Sequence, residues 1–114
     1  MVVERGQVWW ADRGEPNGSG PGFRRPVLII SNDAFHRSRI RTVIAVVLTA
    51  NLRLVDAPDN VLMPAKASGL PKDCVANVSQ VVTLDKEFLT ELAGRIKGRP
   101  LSDIDSGLRL VLSL

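Results

Sequence analysis

Short apolar runs alternate along the chain with polar breaks marked by glycine or proline. Residues 7–12 (Gln-Val-Trp-Trp-Ala-Asp) are rich in aromatic and β-branched types and predict a short first strand. Residues 25–31 (Arg-Pro-Val-Leu-Ile-Ile-Ser) predict a second, with Pro26 near its start, where a missing N–H is tolerated. Residues 42–50 (Thr-Val-Ile-Ala-Val-Val-Leu-Thr-Ala) are apolar on both faces, so the third strand is expected to be central and covered on both sides. Residues 60–64 read as a short fourth strand and 74–84 as a long, bent fifth, whose even positions are apolar except for Gln80. Between them, 32–39 reads as a turn or a single helical turn, and 65–73, with Ser68-Gly69-Leu70-Pro71, as a loop.

Two helices are expected to close the chain. The first covers 86–97 behind Asp85 as N-cap, with Phe88, Leu89, Leu92 and Ile96 at helical spacing, Glu91 and Arg95 as an i,i+4 pair, and Gly98 as the stop. The second follows Pro100 and begins near Ser102. Its Asp103 and Asp105 would sit in the positive first turn, and Ile104, Leu108, Val111 and Leu112 would form one apolar stripe. Strands first, without regular strand–helix alternation, then helices, predict an α+β domain with a mainly antiparallel, strongly curled sheet. No repeat or linker divides residues 1–114, so one domain is expected.

Composition narrows the class. With 114 residues, 45% apolar and 24% charged, the chain can bury one modest core, and a wholly disordered protein is disfavoured. A single cysteine, Cys74, excludes an internal disulfide and a cysteine-based zinc cage, and a single histidine, His36, excludes a two-histidine acid–base pair in one subunit. No apolar run approaches the roughly 18 residues of a membrane span. The opening Met-Val-Val-Glu-Arg lacks the apolar stretch of a signal peptide, so a reduced, cytoplasmic protein is expected. Cys74 is expected to be a small buried hydrophobe and His36 a surface residue.

The net charge of +3 is unevenly spread. Residues 1–53 carry eight bases, all arginine, against four acids, whereas all four lysines come later. The planar guanidinium matches phosphate bidentately, so this half suits a phosphate-bearing partner, although the same charges also serve as a solvated face. Residues 13–24 hold four of the nine glycines and two of the seven prolines, a loop longer than most hairpin connections, and such loops are often functional. If the second and third strands are antiparallel neighbours, facing residues share a constant index sum. Placing Ser31 opposite Val43 makes that sum 74 and sets Arg25 opposite Thr49. A guanidinium and a hydroxyl then meet where the glycine-rich loop enters, with Arg5 and Arg24 as neighbours. Taken alone, Arg25 also suits a strand edge, and Thr49 an ordinary strand position. Gln80 is either a member of a core hydrogen-bond network or, across a bulge, a base reader. Trp9 and Trp10 point to opposite faces, one to the core and the other to a base or a subunit seam.

The run Arg5-Gly6-Gln7-Val8-Trp9-Trp10-Ala11-Asp12, the glycine-rich loop, Arg25-Pro26-Val27-Leu28-Ile29-Ile30-Ser31-Asn32-Asp33 and Val46-Val47-Leu48-Thr49 resemble the MazF/PemK family of toxin endoribonucleases. Gly69-Leu70 to Cys74 and Ser79-Gln80-Val81-Val82-Thr83-Leu84-Asp85-Lys86 extend the resemblance over nearly the whole chain. It implies an SH3-like curled barrel of the CcdB/MazF type with C-terminal helices, working as a homodimer. It implies sequence-specific cleavage of single-stranded RNA through attack of the 2′-hydroxyl, without metal or cofactor, leaving 2′,3′-cyclic phosphate and 5′-hydroxyl ends. The family's catalytic arginine falls on Arg25 and its threonine on Thr49, with RNA contacts expected from Arg5, Ser19, Gly20, Arg24, Asn51, Asn77, Ser79 and Gln80. The groove would lie at the dimer interface beneath the first loop, where a disordered acidic segment of a MazE-like antitoxin blocks it. Many members carry Glu-Gln where this chain has Ser79-Gln80, so base contacts from that acid are missing. One alternative is a non-enzymatic CcdB-like toxin that binds DNA gyrase, but such toxins act through a C-terminal Trp-Gly-Ile and this chain ends Val-Leu-Ser-Leu. Another is a member of the family that binds RNA without cutting it.

Overall fold

The computed structural model describes residues 2–14 and 23–114. Six strands build one antiparallel sheet: β1 (Gln7–Gly14), β2 (Phe23–Ile29), β3 (Thr42–Thr49), β4 (Val61–Met63), β5 (Cys74–Asp85) and β6 (Leu89–Arg95). Their spatial order is β4-β5-β3-β2-β1-β6. Three helices accompany the sheet: α1 (Asp33–His36), α2 (Ala65–Ser68) and α3 (Arg99–Leu112). No helix among the described residues is long and apolar enough to cross a membrane. The α+β class and the curled antiparallel sheet agree with the sequence reading.

The apolar runs sort onto two faces. Val46 and Leu48 of β3 join Val8, Leu28, Ala76, Ile104 and Leu108 in one buried cluster, and Val43, Ala45 and Val47 join Trp9, Val27 and Ile29 in the other. The third strand is therefore central and covered on both sides, as its two apolar faces require. β2 and β3 pair through Val27 with Val47, Leu28 with Val46 and Ile29 with Ala45. Each pair sums to the expected 74. The strand ends differ from expectation, because β1 runs on to Gly14 and β2 starts at Phe23. The rest of the expected 13–24 loop, with Ser19 and Gly20, lies outside the described residues. The expected loop 65–73 contains the single turn α2.

The expected helix over 86–97 does not form. Asp85 does cap, accepting from the Glu87 N–H, but the turn behind it covers only Lys86–Phe88, and β6 follows. β6 pairs with β1, which would otherwise present unpaired N–H and C=O groups along that edge. The charges that suggested an i,i+4 pair go elsewhere, Glu91 to Arg24 and Arg95 to Glu4. The chain thus has one C-terminal helix. It begins at Arg99 rather than near Ser102, with Pro100 in its first turn and Gly98 as N-cap. With that start Asp103 and Asp105 fall beyond the first turn, where Asp103 bonds Arg99 and Asp105 pairs with Arg5. Ile104 and Leu108 are buried as expected, whereas Val111 and Leu112 are exposed.

One close approach fixes an element that matters for the site. Gly69 ends α2 at φ +81°, and a Cβ there would overlap the carbonyl oxygen of Ala93 in β6. Gly94 faces the carbonyl of Ser68 in the same way. Two backbones touch where neither residue has a side chain, and the segment after Gly69 is thereby placed beside the sheet.

A cationic candidate active site at the end of the sheet

An open cleft of about 460 Å³ lies at one end of the sheet. β1 and β2 supply Trp10, Arg24, Arg25 and Pro26, the end of β3 supplies Leu48, Thr49 and Ala50, and the segment leading into β5 supplies Leu70, Pro71, Lys72 and Cys74. Arg25 and Thr49 line the same cleft because the β2–β3 register carries both to it. Among the described residues, three cations, Arg24, Arg25 and Lys72, line it, and no carboxylate does. Thr49 Oγ1 accepts from the Asn51 N–H at 3.2 Å, and Asn51 Oδ1 in turn accepts from the Arg53 N–H at 3.2 Å, which begins a short turn over Leu52–Asp56.

Trp10 is half-buried and packs against the first core cluster, whereas Trp9 is buried in the second with its indole N–H donating to Gln7 Oε1 at 3.0 Å. The guanidinium carbon of Arg24 lies 4.3 Å from the centre of the Trp10 ring, and its Nη2 donates to Glu91 Oε2 at 3.2 Å. Cys74 is buried, as expected. Burial pushes its thiol above the usual range, Asp73 adds to the effect, and Lys72 opposes it.

β5 leaves the β3 ladder between two registers. Val46 pairs with Val81 and Leu48 with Ala76, so residues 77–80 bulge out opposite Val47. Gln80 is exposed on this bulge, which removes the core-network alternative. Ser79 Oγ donates to Asn77 Oδ1 at 3.0 Å, and Asn77 Nδ2 reaches Gln80 Oε1 at 3.5 Å. The Val78 N–H donates to Asn60 Oδ1 at 3.1 Å, which ties the bulge down. None of these three polar residues lines the cleft.

Arg5 is not beside Arg24. Its N–H donates to Asp33 Oδ1 at 2.7 Å, its Nε to the Ile30 carbonyl at 3.0 Å, and its Nη2 pairs with Asp105. These partners sit at the far end of β2, near a separate hollow of about 260 Å³ that Arg5 shares with Leu108 and Arg109. Asp105 and the Ile30 carbonyl, both distant in sequence, claim this guanidinium, and Asp33 claims the backbone N–H, which no local pattern reveals. His36 is likewise buried, not on the surface: its Nε2 meets Ser31 Oγ at 2.5 Å and its Nδ1 lies 3.5 Å from Asp33. Trp10, Lys72 and Cys74 reach the cleft only through the fold. Of these, only the tryptophan pair carried a signal in the sequence. Among the described residues no three His, Cys, Asp or Glu side chains converge as a metal-binding group.

The model of the PemK-like, MazF-like toxin of type II toxin–antitoxin systems matches residues 4–112. The chain belongs to that family. It is 46% identical to the endoribonuclease MazF6 of Mycobacterium tuberculosis, with all of both chains covered. It is 33% identical to the endoribonuclease EndoA of Bacillus subtilis, over 100% of this chain and 97% of that one. Among solved structures, a mycobacterial endoribonuclease in complex with its cognate antitoxin matches at 29% identity and a TM-score of 0.74, covering 99% of this chain and 95% of that one. The MazE–MazF structure from Deinococcus radiodurans, at 22% identity and a TM-score of 0.81 over 100% and 98% of the chains, shares the fold. In this PemK/MazF chain, Arg25 and Thr49 line one cleft.

Proposed function

We propose that the chain is a sequence-specific endoribonuclease that cuts single-stranded RNA without a metal, leaving 2′,3′-cyclic phosphate and 5′-hydroxyl ends. It serves as the toxin of a type II toxin–antitoxin pair and stops translation and growth. The observation that carries this reading is that Arg25 and Thr49, from neighbouring strands, line one cationic cleft.

RNA supplies its own nucleophile. The protein must hold the 2′-hydroxyl in line with the departing 5′-oxygen and bind the charge that gathers on the phosphoryl oxygens. Arg25 offers two parallel N–H donors to those oxygens and stays charged, because a guanidinium in a protein does not lose its proton. Thr49 Oγ1 accepts from Asn51 and still has its own proton to donate as a further hydrogen bond. Water or a phosphoryl oxygen takes the proton of the 2′-hydroxyl, and water protonates the leaving oxygen, while Arg25 keeps its proton and only donates hydrogen bonds. Arg24 and Lys72 hold flanking phosphates. Asn51, Asn77, Ser79 and Gln80 read base edges from the cleft rim and the bulge. The active form is a homodimer, and a MazE-like antitoxin lays an acidic segment in the basic cleft. The antitoxin-bound endoribonuclease among the similar structures supports an antitoxin as partner.

The test is incubation of the purified protein with a long single-stranded RNA in EDTA, followed by mapping of fragment ends. Cuts with cyclic-phosphate ends that vanish in Arg25→Ala support the proposal. Intact RNA overturns it, and intact RNA with stabilised gyrase–DNA breaks points to the binder instead.

A further inference from the structure

The cleft holds an aromatic ring that the chemistry above does not use. Trp10 lines it beside Arg25 and Thr49, half-buried, with the ring packed on the core. The guanidinium of Arg24 covers that ring at 4.3 Å and is tethered by the Glu91 carboxylate at 3.2 Å. The register explains the grouping: Trp10 pairs with Glu91 on β6, and Arg24 sits on β2 opposite Asp12, two positions along β1 and hence on the same face as Trp10.

Both contacts that hold Arg24 are weak ones. Its ion pair joins two largely exposed side chains, of which Arg24 is 48% and Glu91 66% exposed, and such pairs contribute little. An exposed cation–π contact is likewise modest, whereas stacking of a nucleobase on an aromatic ring is stronger, and a phosphate binds arginine with charge-assisted, bidentate geometry. An arriving single strand brings both replacements at once, a base for the ring and a phosphate for the guanidinium.

We infer that Trp10 is the base-stacking platform of the cleft, and that Arg24, resting on the ring and tethered to Glu91, moves from it to a backbone phosphate when single-stranded RNA binds. The unliganded chain thus keeps its stacking surface covered, and Glu91 holds the cover in place. The inference rests on the ribonuclease reading and adds the group that anchors a base next to the scissile phosphate.

The test uses a mixed-sequence 2′-fluoro RNA oligonucleotide, which lacks the nucleophile and is not consumed. Trp10→Leu should weaken binding about tenfold while leaving the salt dependence of binding unchanged. Trp10→Phe, which keeps a π-face, should stay within about threefold of wild type. Arg24→Gln should lower the slope of log K against log salt by about 0.7, the value of one phosphate contact on a single strand. In a Trp9→Phe background, saturation with the oligonucleotide should quench the emission of Trp10, which reports on the intact ring without any change at the site. Wild-type affinity in Trp10→Leu, equal weakening in the Leu and Phe variants, or unaltered Trp10 emission at saturation would each overturn the inference. Failure of the wild-type protein to cut unmodified RNA defeats the ribonuclease reading itself and is recorded separately.

Discussion

On the proposed mechanism Arg25 contributes charge and hydrogen bonds rather than a proton. A guanidinium stays protonated throughout the working range, so the cleavage rate should show no group titrating below pH 8 that disappears in Arg25→Lys. Such a group would assign Arg25 to proton transfer. Thr49→Ala removes one donor to the phosphoryl oxygens and should lower the cleavage rate about 10²–10³-fold with the fold intact, as judged by circular dichroism. At the other end of β2, the Arg5 N–H holds the Asp33 carboxyl below the usual carboxylate range; burial opposes the effect, and His36, Arg37 and Arg95 add to it. A carboxyl whose folded pKa is depressed stabilises the fold above its unfolded pKa and loses that contribution as pH falls through the folded value. Thermal stability should therefore drop more between pH 5 and pH 3 in wild type than in Asp33→Asn, and equal drops would remove Asp33 from the account. Of these residues, Arg25 and Thr49 were legible because a single register joins them. Arg5 and His36 were not, since Asp105 and the Ser31 hydroxyl reach them only once the chain has folded.

Among the elements, β2 and β3 were readable because each carries an unbroken apolar run and they follow one another in the chain. β6 was not. Its apolar spacing fits a helix, and only the need of β1 for a partner on its open edge draws it into the sheet. The glycine contact between α2 and β6 was equally hidden, since it depends on two backbones meeting across 24 intervening residues. Gly69→Ala would force a left-handed residue and a clash with the Ala93 carbonyl at once. It should cost about 2 kcal/mol in denaturant unfolding. The cleft wall that carries Leu70, Pro71 and Lys72 begins at this glycine, so the variant should also lose RNA affinity at temperatures where it remains folded. Full wild-type affinity there would mean that the wall is set by other contacts.

At the scale of the whole molecule, the net charge of +3 understates what a substrate meets. Arg24, Arg25 and Lys72 line one cleft, and on the proposed reading each neutralises a phosphate of a bound strand. Three such contacts predict a slope near −2 for log K against log salt on single-stranded RNA, or about 15-fold weaker binding at 200 mM than at 50 mM salt. A flat salt profile would show that the cleft does not hold the phosphate backbone. The arginine bias of residues 1–53 pointed toward such a partner, but Lys72 comes from the more acidic half, and only the folded chain brings it in. The detour of β5 between Asn77 and Gln80 has a consequence at this scale too. Rungs remain on either side of it, at Val81 and Ala76, and Ser79 and Gln80 are exposed, so exchanging those two side chains breaks none of the sheet's pairing. If these residues read bases, as proposed, target choice and architecture are uncoupled, and one scaffold can serve different transcripts.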